Sequence, residues 1–142
     1  MRIYELLRGK GFHVITVTPD TAVSEAVRLL KEYNLGAVVV SPDGKHITGI
    51  MTERDVVRRL AAGADFLDSP VSAIMTPDVL TCRADESVHS LMSTMTNRRI
   101  RHLPVVDGKG ALNGIVSIGD VVKSYITEVE FERDQLQGYV SG

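Results

Sequence analysis

The sequence predicts an α/β (α+β) protein made of two copies of one βαββα unit, and three observations predict it. Residues 14–57 align with residues 79–122 without a gap. The pairs Val14/Val79, Thr16/Thr81, Asp20/Asp85, Val23/Val88, Val40/Val105, Gly49/Gly114, Ile50/Ile115, Asp55/Asp120, Val56/Val121 and Val57/Val122 are identical, and most other pairs keep their polarity. Apolar residues in both copies pass in the same order from helical to strand periodicity. Five of the identities crowd into residues 49–57, which marks a local task retained inside a diverged repeat. One such unit would bury too little of its surface to be stable alone, whereas two sharing a core suffice.

The elements follow in chain order. Residues 1–12 are expected to form a leading helix. A strand opens each copy, around Thr16 and around Cys82. Val23, Ala26, Val27 and Leu30 then fall at i, i+3, i+4 and i+7, and Val88, Leu91, Met92 and Met95 repeat that stripe. Asp20-Thr21 and Asp85-Glu86-Ser87 are the candidate N-caps. The apolar runs Ala37–Val40 and Leu103–Val106 read as buried strands. Pro42-Asp43-Gly44 and Asp107-Gly108-Lys109-Gly110 read as hairpin turns leading to strands at Ile47–Met51 and Leu112–Val116. A second helix closes each copy, at about 53–62 with Val56, Val57 and Leu60 inward, and at about 118–136 with Val121, Val122 and Tyr125 inward. The expected divisions are a leading helix at 1–12, a first unit at 13–62, a linker at 63–78 with a short helix at 70–75, a second unit at 79–126 and a helical extension at 127–142. That extension either clasps a second subunit or partner, or lies against its own domain.

Composition narrows the functional classes. A net charge of −2 with a pI near 6.1 argues against a nucleic-acid binder. Cys82 is the one cysteine, so neither an internal disulfide nor a cysteine zinc site can form within the chain. The four histidines lack metal-ligand spacing. No apolar run approaches the ~20 residues of a membrane span, and the first residues do not read as a signal peptide. A cytoplasmic protein without nucleic-acid or membrane partners is expected. Nucleophile elbow, Walker loop and zinc-protease signatures are missing from the sequence, and Arg8-Gly9-Lys10-Gly11 lacks the length and the Ser/Thr of a phosphate loop. Cys82 is expected to be a buried, inert thiol on a strand, and no enzymatic activity is expected.

The retained segments, Gly49-Ile50-Met51-Thr52-Glu53-Arg54-Asp55 and Gly114-Ile115-Val116-Ser117-Ile118-Gly119-Asp120, share the pattern Gly-h-h-(Thr/Ser)-x-x-Asp, with h apolar. Each stands where a strand ends and a helix begins. Free backbone amides and the positive end of the helix dipole favour an anion there. The hydroxyl suits a phosphate oxygen or the backbone. The Asp, one turn on, can accept both hydroxyls of a ribose at roughly 1.5–3 kcal/mol per charge-assisted bond. The same spacing is also a capping box; the glycine lead-in and the doubling favour the ligand reading, since a strand approached closely by a flat base tolerates glycine. A basic cluster, Arg98, Arg99, Arg101 and His102, is sized for one phosphate. Arg98 and Arg99 suit a helix C-terminus and read as surface. Arg101 and His102 alternate on a strand, so one of them is expected to face a cleft. His102 changes charge near pH 6.5 in an ordinary setting, which would make a phosphate contact there depend on pH.

Together with the leads Thr16-Val17-Thr18-Pro19-Asp20 and Thr81-Cys82-Arg83-Ala84-Asp85 and the strands around Gly36–Val40 and Arg101–Val106, these motifs resemble a tandem pair of CBS domains, the cystathionine-β-synthase-type or Bateman module, over about residues 3–126. The resemblance implies two domains packed through their sheets about a pseudo-twofold axis, with clefts for AMP, ADP, ATP, NAD(H) or S-adenosylmethionine. It implies a homodimer, and a sensor that signals to another protein rather than an enzyme. A purely structural dimerisation module without a nucleotide is the other reading. Carried over residue by residue, Asp55 and Asp120 would hold ribose hydroxyls, Thr52 and Ser117 would contact phosphate, and Thr16 and Thr81 would flank base or ribose. Ala37 and Met51 would line one adenine pocket, and His102 and Val116 the other. Arg54 stands opposite Gly119, and Gly36-Ala37 opposite Arg101-His102, so the two copies are expected to bind with unequal affinity.

Overall fold

The computed structural model describes residues 1–141; Gly142 of the expected extension lies outside the described residues. Two three-stranded sheets repeat one design. In the first, β1 (Thr16–Val17) runs parallel to β2 (Ala37–Val40), which pairs antiparallel with β3 (Gly49–Thr52). In the second, β4 (Cys82–Arg83), β5 (His102–Val106) and β6 (Leu112–Ser117) do the same. The register repeats as well: Val17 faces Val40 as Cys82 faces Val105, and Ala37 faces Thr52 as His102 faces Ser117. Helices α2 (Val23–Glu32) and α4 (Val88–Arg98) bury the stripes Val23, Ala26, Leu30 and Val88, Leu91, Met95. Two further helices follow the sheets directly, α3 (Glu53–Leu60) and α5 (Ile118–Ser141).

The hairpin turns are built by their aspartates. Asp43 Oδ1 accepts from the amides of Lys45 and His46, and Asp107 Oδ1 from those of Lys109 and Ala111. Gly44 and Gly110 supply the left-handed residue of each turn, at φ 78° and 81°. Lys45 O, in the first turn, accepts from Leu112 N at 2.8 Å and so ties the two sheets together.

The buried side chains form two clusters rather than one, and each is completed by the segment that precedes the other copy. The leading helix α1 (Ile3–Lys10) puts Ile3, Leu6 and Leu7 among Leu91, Met95, Leu103, Val116 and Val121 of the second copy. The linker puts Val71 and Ile74 among Val23, Leu30, Val38 and Met51 of the first. Backbone bonds repeat this exchange. Ile3 N and Tyr4 N donate to Glu86 O and Ala84 O, as Val71 N and Ser72 N donate to Thr21 O and Pro19 O. Amides left over at one element's start are thus satisfied by the other copy.

Several expectations need correction. The linker forms two 3-10 turns, Asp65–Asp68 and Val71–Ala73, in place of one helix at 70–75. Ser87 caps α4 by accepting from Ser90 N, but α2 starts at an Ala22 cap, because Thr21 Oγ1 is taken by the amide and hydroxyl of Thr18. Val57 and Leu60 on α3, and Val122 and Tyr125 on α5, point outward although they were expected inward. Val56 is partly buried against the first core and Val121 fully buried in the second. Each helix grips its sheet with one narrow edge only. The last helix continues to Ser141, beyond the expected 136. Cys82 lies buried on β4, where desolvation, with help from the Glu86 charge, pushes its thiol up to about 12. No helix is long and apolar enough to cross a membrane, and no cluster of potential metal ligands occurs, among the described residues.

The exchange makes a prediction. Leu7→Ala, at the edge of the sequence but the centre of the second core, should cost about 2–5 kcal/mol in urea denaturation, whereas Leu136→Ala, on exposed helix, should change stability by less than about 0.5 kcal/mol.

Candidate functional site

Both retained motifs fold as reciprocal caps. Thr52 Oγ1 accepts from Asp55 N at 3.3 Å, while Asp55 Oδ2 accepts from Thr52 N at 2.8 Å and from Thr52 Oγ1 at 3.1 Å. Ser117 Oγ accepts from Asp120 N at 3.2 Å and Asp120 Oδ2 from Ser117 N at 2.9 Å. The capping reading of the spacing therefore holds in both copies. Capping uses one oxygen of each carboxylate. All these bonds converge on Oδ2, and Oδ1 of Asp55 and of Asp120 accepts none among the described residues.

The glycine of each motif has a packing reason. A Cβ on Gly49 would collide with the Met75 side chain and stand 3.0 Å from Thr76 O; on Gly114 it would sit 3.1 Å from both methyls of Leu7. Each glycine therefore admits the segment exchanged from the other copy, in place of the expected flat base. Thr76 also pairs with Ile50 through two backbone bonds, adding the linker to the β3 edge.

The two motifs open onto one cleft of about 770 Å³. Thr52 and Asp55 line it from the start of α3, and Ser117 and Gly119 from the start of α5. The turn before β5 brings in Arg99, Ile100, Arg101 and His102, and α3 adds Glu53, Arg54 and Arg58. Arg101 and His102 both reach the cleft, although strand alternation predicts one. Arg101 precedes the first residue of β5, so the alternation does not bind it. His102 reaches across to the first copy: a Cβ on Gly36 would be 2.7 Å from His102 Nε2 and 3.0 Å from Glu53 Oε1. Burial lowers the His102 pKa below its ordinary 6.5, opposed by the nearby Glu53 carboxylate. Its ring is therefore neutral at pH 7, and any gain of charge lies further to the acid side than sequence suggests.

Other expected residues lie elsewhere. Met51 and Val116 are fully buried in the two cores and line no part of this cleft. Alternation along β3 and β6 points them at the helices while their neighbours Ile50 and Ser117 face the cleft. Ala37 is buried beside Val38 in β2. Thr16 lies half-buried on β1, with its hydroxyl near the Gly44 turn. Thr81 lines a second cleft of about 780 Å³ with His46, Val79, Arg98 and Ile100. Ile100 belongs to both clefts and forms the wall between them. Arg58, Arg99, Glu53 and Ile100 were not singled out as site residues. Of these, Arg99 belongs to the basic cluster read from the sequence and Arg58 does not; only the fold brings α3 to the turn before β5.

The second carboxylate is guarded. Lys10 Nζ, at the end of α1, donates to Asp120 Oδ2 at 2.6 Å and to Ile115 O at 2.7 Å. Burial raises the Asp120 pKa, but Lys10, the Ser117 amide and the Ser117 hydroxyl outweigh it, and the carboxyl titrates below its ordinary 3.8. Asp55 has no such cation on it among the described residues. The two motifs thus differ in charge not only through Arg54 and Gly119 but through a lysine that arrives with the exchanged helix.

The family model for the CBS domain matches the chain twice, at residues 11–62 and 71–127. A mitochondrial CBS domain-containing protein of Arabidopsis thaliana is 38% identical over 149 aligned positions, covering 99% of this chain and 72% of that one. A solved CBS-domain-containing protein from Agrobacterium tumefaciens superposes with a TM-score of 0.84 at 44% identity, over 88% of this chain and 99% of that one. A CBS domain protein from Pyrobaculum aerophilum, solved with AMP, gives 0.76 at 28% identity over 84% and 89% of the two chains. A CBS domain pair solved with 5′-methylthioadenosine and S-adenosylmethionine gives 0.78 at 25% identity over 88% and 99%.

The Lys10–Asp120 contact should show in the pH dependence of stability. A carboxyl whose pKa falls on folding stabilises the fold above its unfolded pKa and loses that contribution as pH drops through the folded value. Lys10→Met should therefore cost about 1 kcal/mol at pH 7, and the gap from wild type, read by urea denaturation, should narrow steadily below about pH 4.

Proposed function

Because this chain belongs to the CBS-domain family, as a tandem pair of such domains, we propose that it is a regulatory module that binds an adenosine-containing ligand in the cleft shared by its two copies and signals to another protein. One observation carries this reading: two helix starts, one presenting Thr52 and Asp55 and the other Ser117 and Gly119, converge on a single cleft whose volume suits a small molecule; capping leaves Oδ1 of Asp55 with no bond of its own, while Asp120, one residue beyond Gly119, does not line the cleft. A ribose then binds at Asp55 without disturbing the cap. Thr52, Ser117, Arg54, Arg101 and His102 serve its phosphates, and Ile100 and Ile50 offer apolar surface to the base. AMP, ADP, ATP, NAD(H) and S-adenosylmethionine are the candidate ligands. The AMP and S-adenosylmethionine complexes of the related domain pairs support this class. At the second motif Lys10 neutralises the Asp120 carboxylate, which lies outside the cleft lining, so that half binds more weakly. A ligand passes a signal only through unequal affinity for two states, and a cleft walled by both copies responds to their relative position. The chain acts by binding rather than by turnover.

A homodimer is part of the same proposal. Val57 and Leu60 on α3 are the repeat equivalents of Val122 and Tyr125 on α5, and all four are exposed, at 64%, 47%, 45% and 55%. Two matching apolar helix faces with no partner in the monomer suit a second copy.

Calorimetry with AMP, ATP, NADH and S-adenosylmethionine should show binding of at least one. Asp55→Ala should weaken it tenfold or more, about 1.4 kcal/mol. Absence of heat with all four would leave the dimerisation module as the function. Light scattering should give twice the chain mass of 15.5 kDa, and Val122→Asp should halve it; an unchanged mass would remove these faces from the interface.

A further inference from the structure

Each copy ends its first helix in the same way, but with different chemistry. Asn34 follows α2 at φ 53°, and its repeat equivalent Arg99 follows α4 at φ 55° and ψ 40°. Leu35 N returns to Leu30 O at 2.8 Å, and Ile100 N to Met95 O at 3.1 Å, so both turns close on the same bond. These are the only two non-glycine residues with positive φ among the described residues. Asparagine tolerates the left-handed region, after glycine, better than any other residue. Arginine has no such dispensation, because its Cβ meets the following carbonyl. The second copy therefore holds a long cation in a conformation that disfavours it, where the first copy shows that a suitable residue fits.

The surroundings supply a reason. Arg99 lines the shared cleft with Arg54, Arg58 and Arg101. None of these four guanidinium groups forms an ion pair or hydrogen bond among the described residues. The acids in the cleft are Glu53 and Asp55, and Asp55 already caps α3. Four like charges gathered around one hollow repel one another. Arg99 and Arg101 also share the cleft with the positive ends of two helices, α3 and α5. Strained backbone is retained where the residue has a task.

We infer that Arg99 is a phosphate-contacting residue, held in the left-handed conformation for that purpose, and that it restricts the shared cleft to phosphate-bearing nucleotides over neutral or cationic adenosyl compounds. The inference rests on the adenosine reading above and selects within it. A guanidinium fork pairs with two oxygens of one phosphate, and the sulfonium of S-adenosylmethionine would meet the arginine cluster unfavourably.

The test is calorimetry of wild type, R99N and R99Q with ATP, AMP, adenosine and S-adenosylmethionine, together with melting of the ligand-free proteins. Wild type should bind the phosphate-bearing ligands at least tenfold more tightly than adenosine or S-adenosylmethionine. R99N should lose at least tenfold in ATP and AMP affinity, keep adenosine within twofold, and melt about 2–4 °C higher because the turn is relieved. R99Q removes the charge without the asparagine preference, and should show the same affinity loss without the gain in melting temperature. Unchanged ATP and AMP affinity in R99N, or an equal loss for adenosine, would overturn the assignment. A wild type that binds S-adenosylmethionine as tightly as ATP would overturn it while leaving the adenosine site standing; one that binds none of the four would sink both.

Discussion

The structure depends on a reciprocal exchange. Neither copy completes its own core. Ile3, Leu6 and Leu7 fill the second copy, and Val71 and Ile74 fill the first. The first amides of α1 and of the linker turn at Val71 find carbonyls on the copy they pack against, and Val23 N and Val88 N donate back to Ser69 O and Met1 O. Because the exchange is through backbone bonds and buried apolar side chains together, the copies cannot separate without exposing both kinds of group. The cleft between them is therefore walled by elements that stay associated, so that a change there is a shift of one copy against the other rather than a separation.

The same exchange explains why the motif begins with glycine and why its two versions behave differently. The glycine admits Leu7 at one motif and Met75 with Thr76 at the other. At the second motif the exchanged element is a helix whose last residue, Lys10, lands on Asp120. At the first it is the linker, which brings no cation into an ion pair with Asp55 among the described residues. One repeated geometry thus yields one carboxylate that lines the cleft and one held by a cation. The sequence marks a chemical difference at Arg54 and Gly119, but Lys10 is 110 residues from its partner and carries no such mark.

Much of the architecture was legible because it is local. The stripes at Val23–Leu30 and Val88–Met95, the strand at Ala37–Val40 and the aspartate-glycine turns each follow from periodicity or from one side chain's bonding. Val57, Leu60, Val122 and Tyr125 misled because periodicity identifies an apolar face without saying whether its own chain covers it. Met51 and Val116 misled because strand alternation assigns two faces but does not label the one that meets the cleft. Arg99 reads in the sequence as a surface cation at a helix end, and Arg58 carries no mark there. Their convergence depends on α3 and the turn after α4 meeting across the copies, a long-range juxtaposition that composition and spacing do not encode.

A capping box and a ligand site need not compete for one residue. A carboxylate offers about four lone-pair positions on two oxygens, and the caps at Asp55 and Asp120 occupy Oδ2 alone. The cap fixes the side chain's rotamer, so its other oxygen is aimed before any ligand arrives, and little side-chain entropy is left to lose on binding. The structural role then prepares the functional one. This also accounts for the retention of hydroxyl and carboxylate together in both copies while the residues between them, Glu53-Arg54 and Ile118-Gly119, diverged: the cap constrains the pair, and the intervening positions are left to set the charge of the cleft.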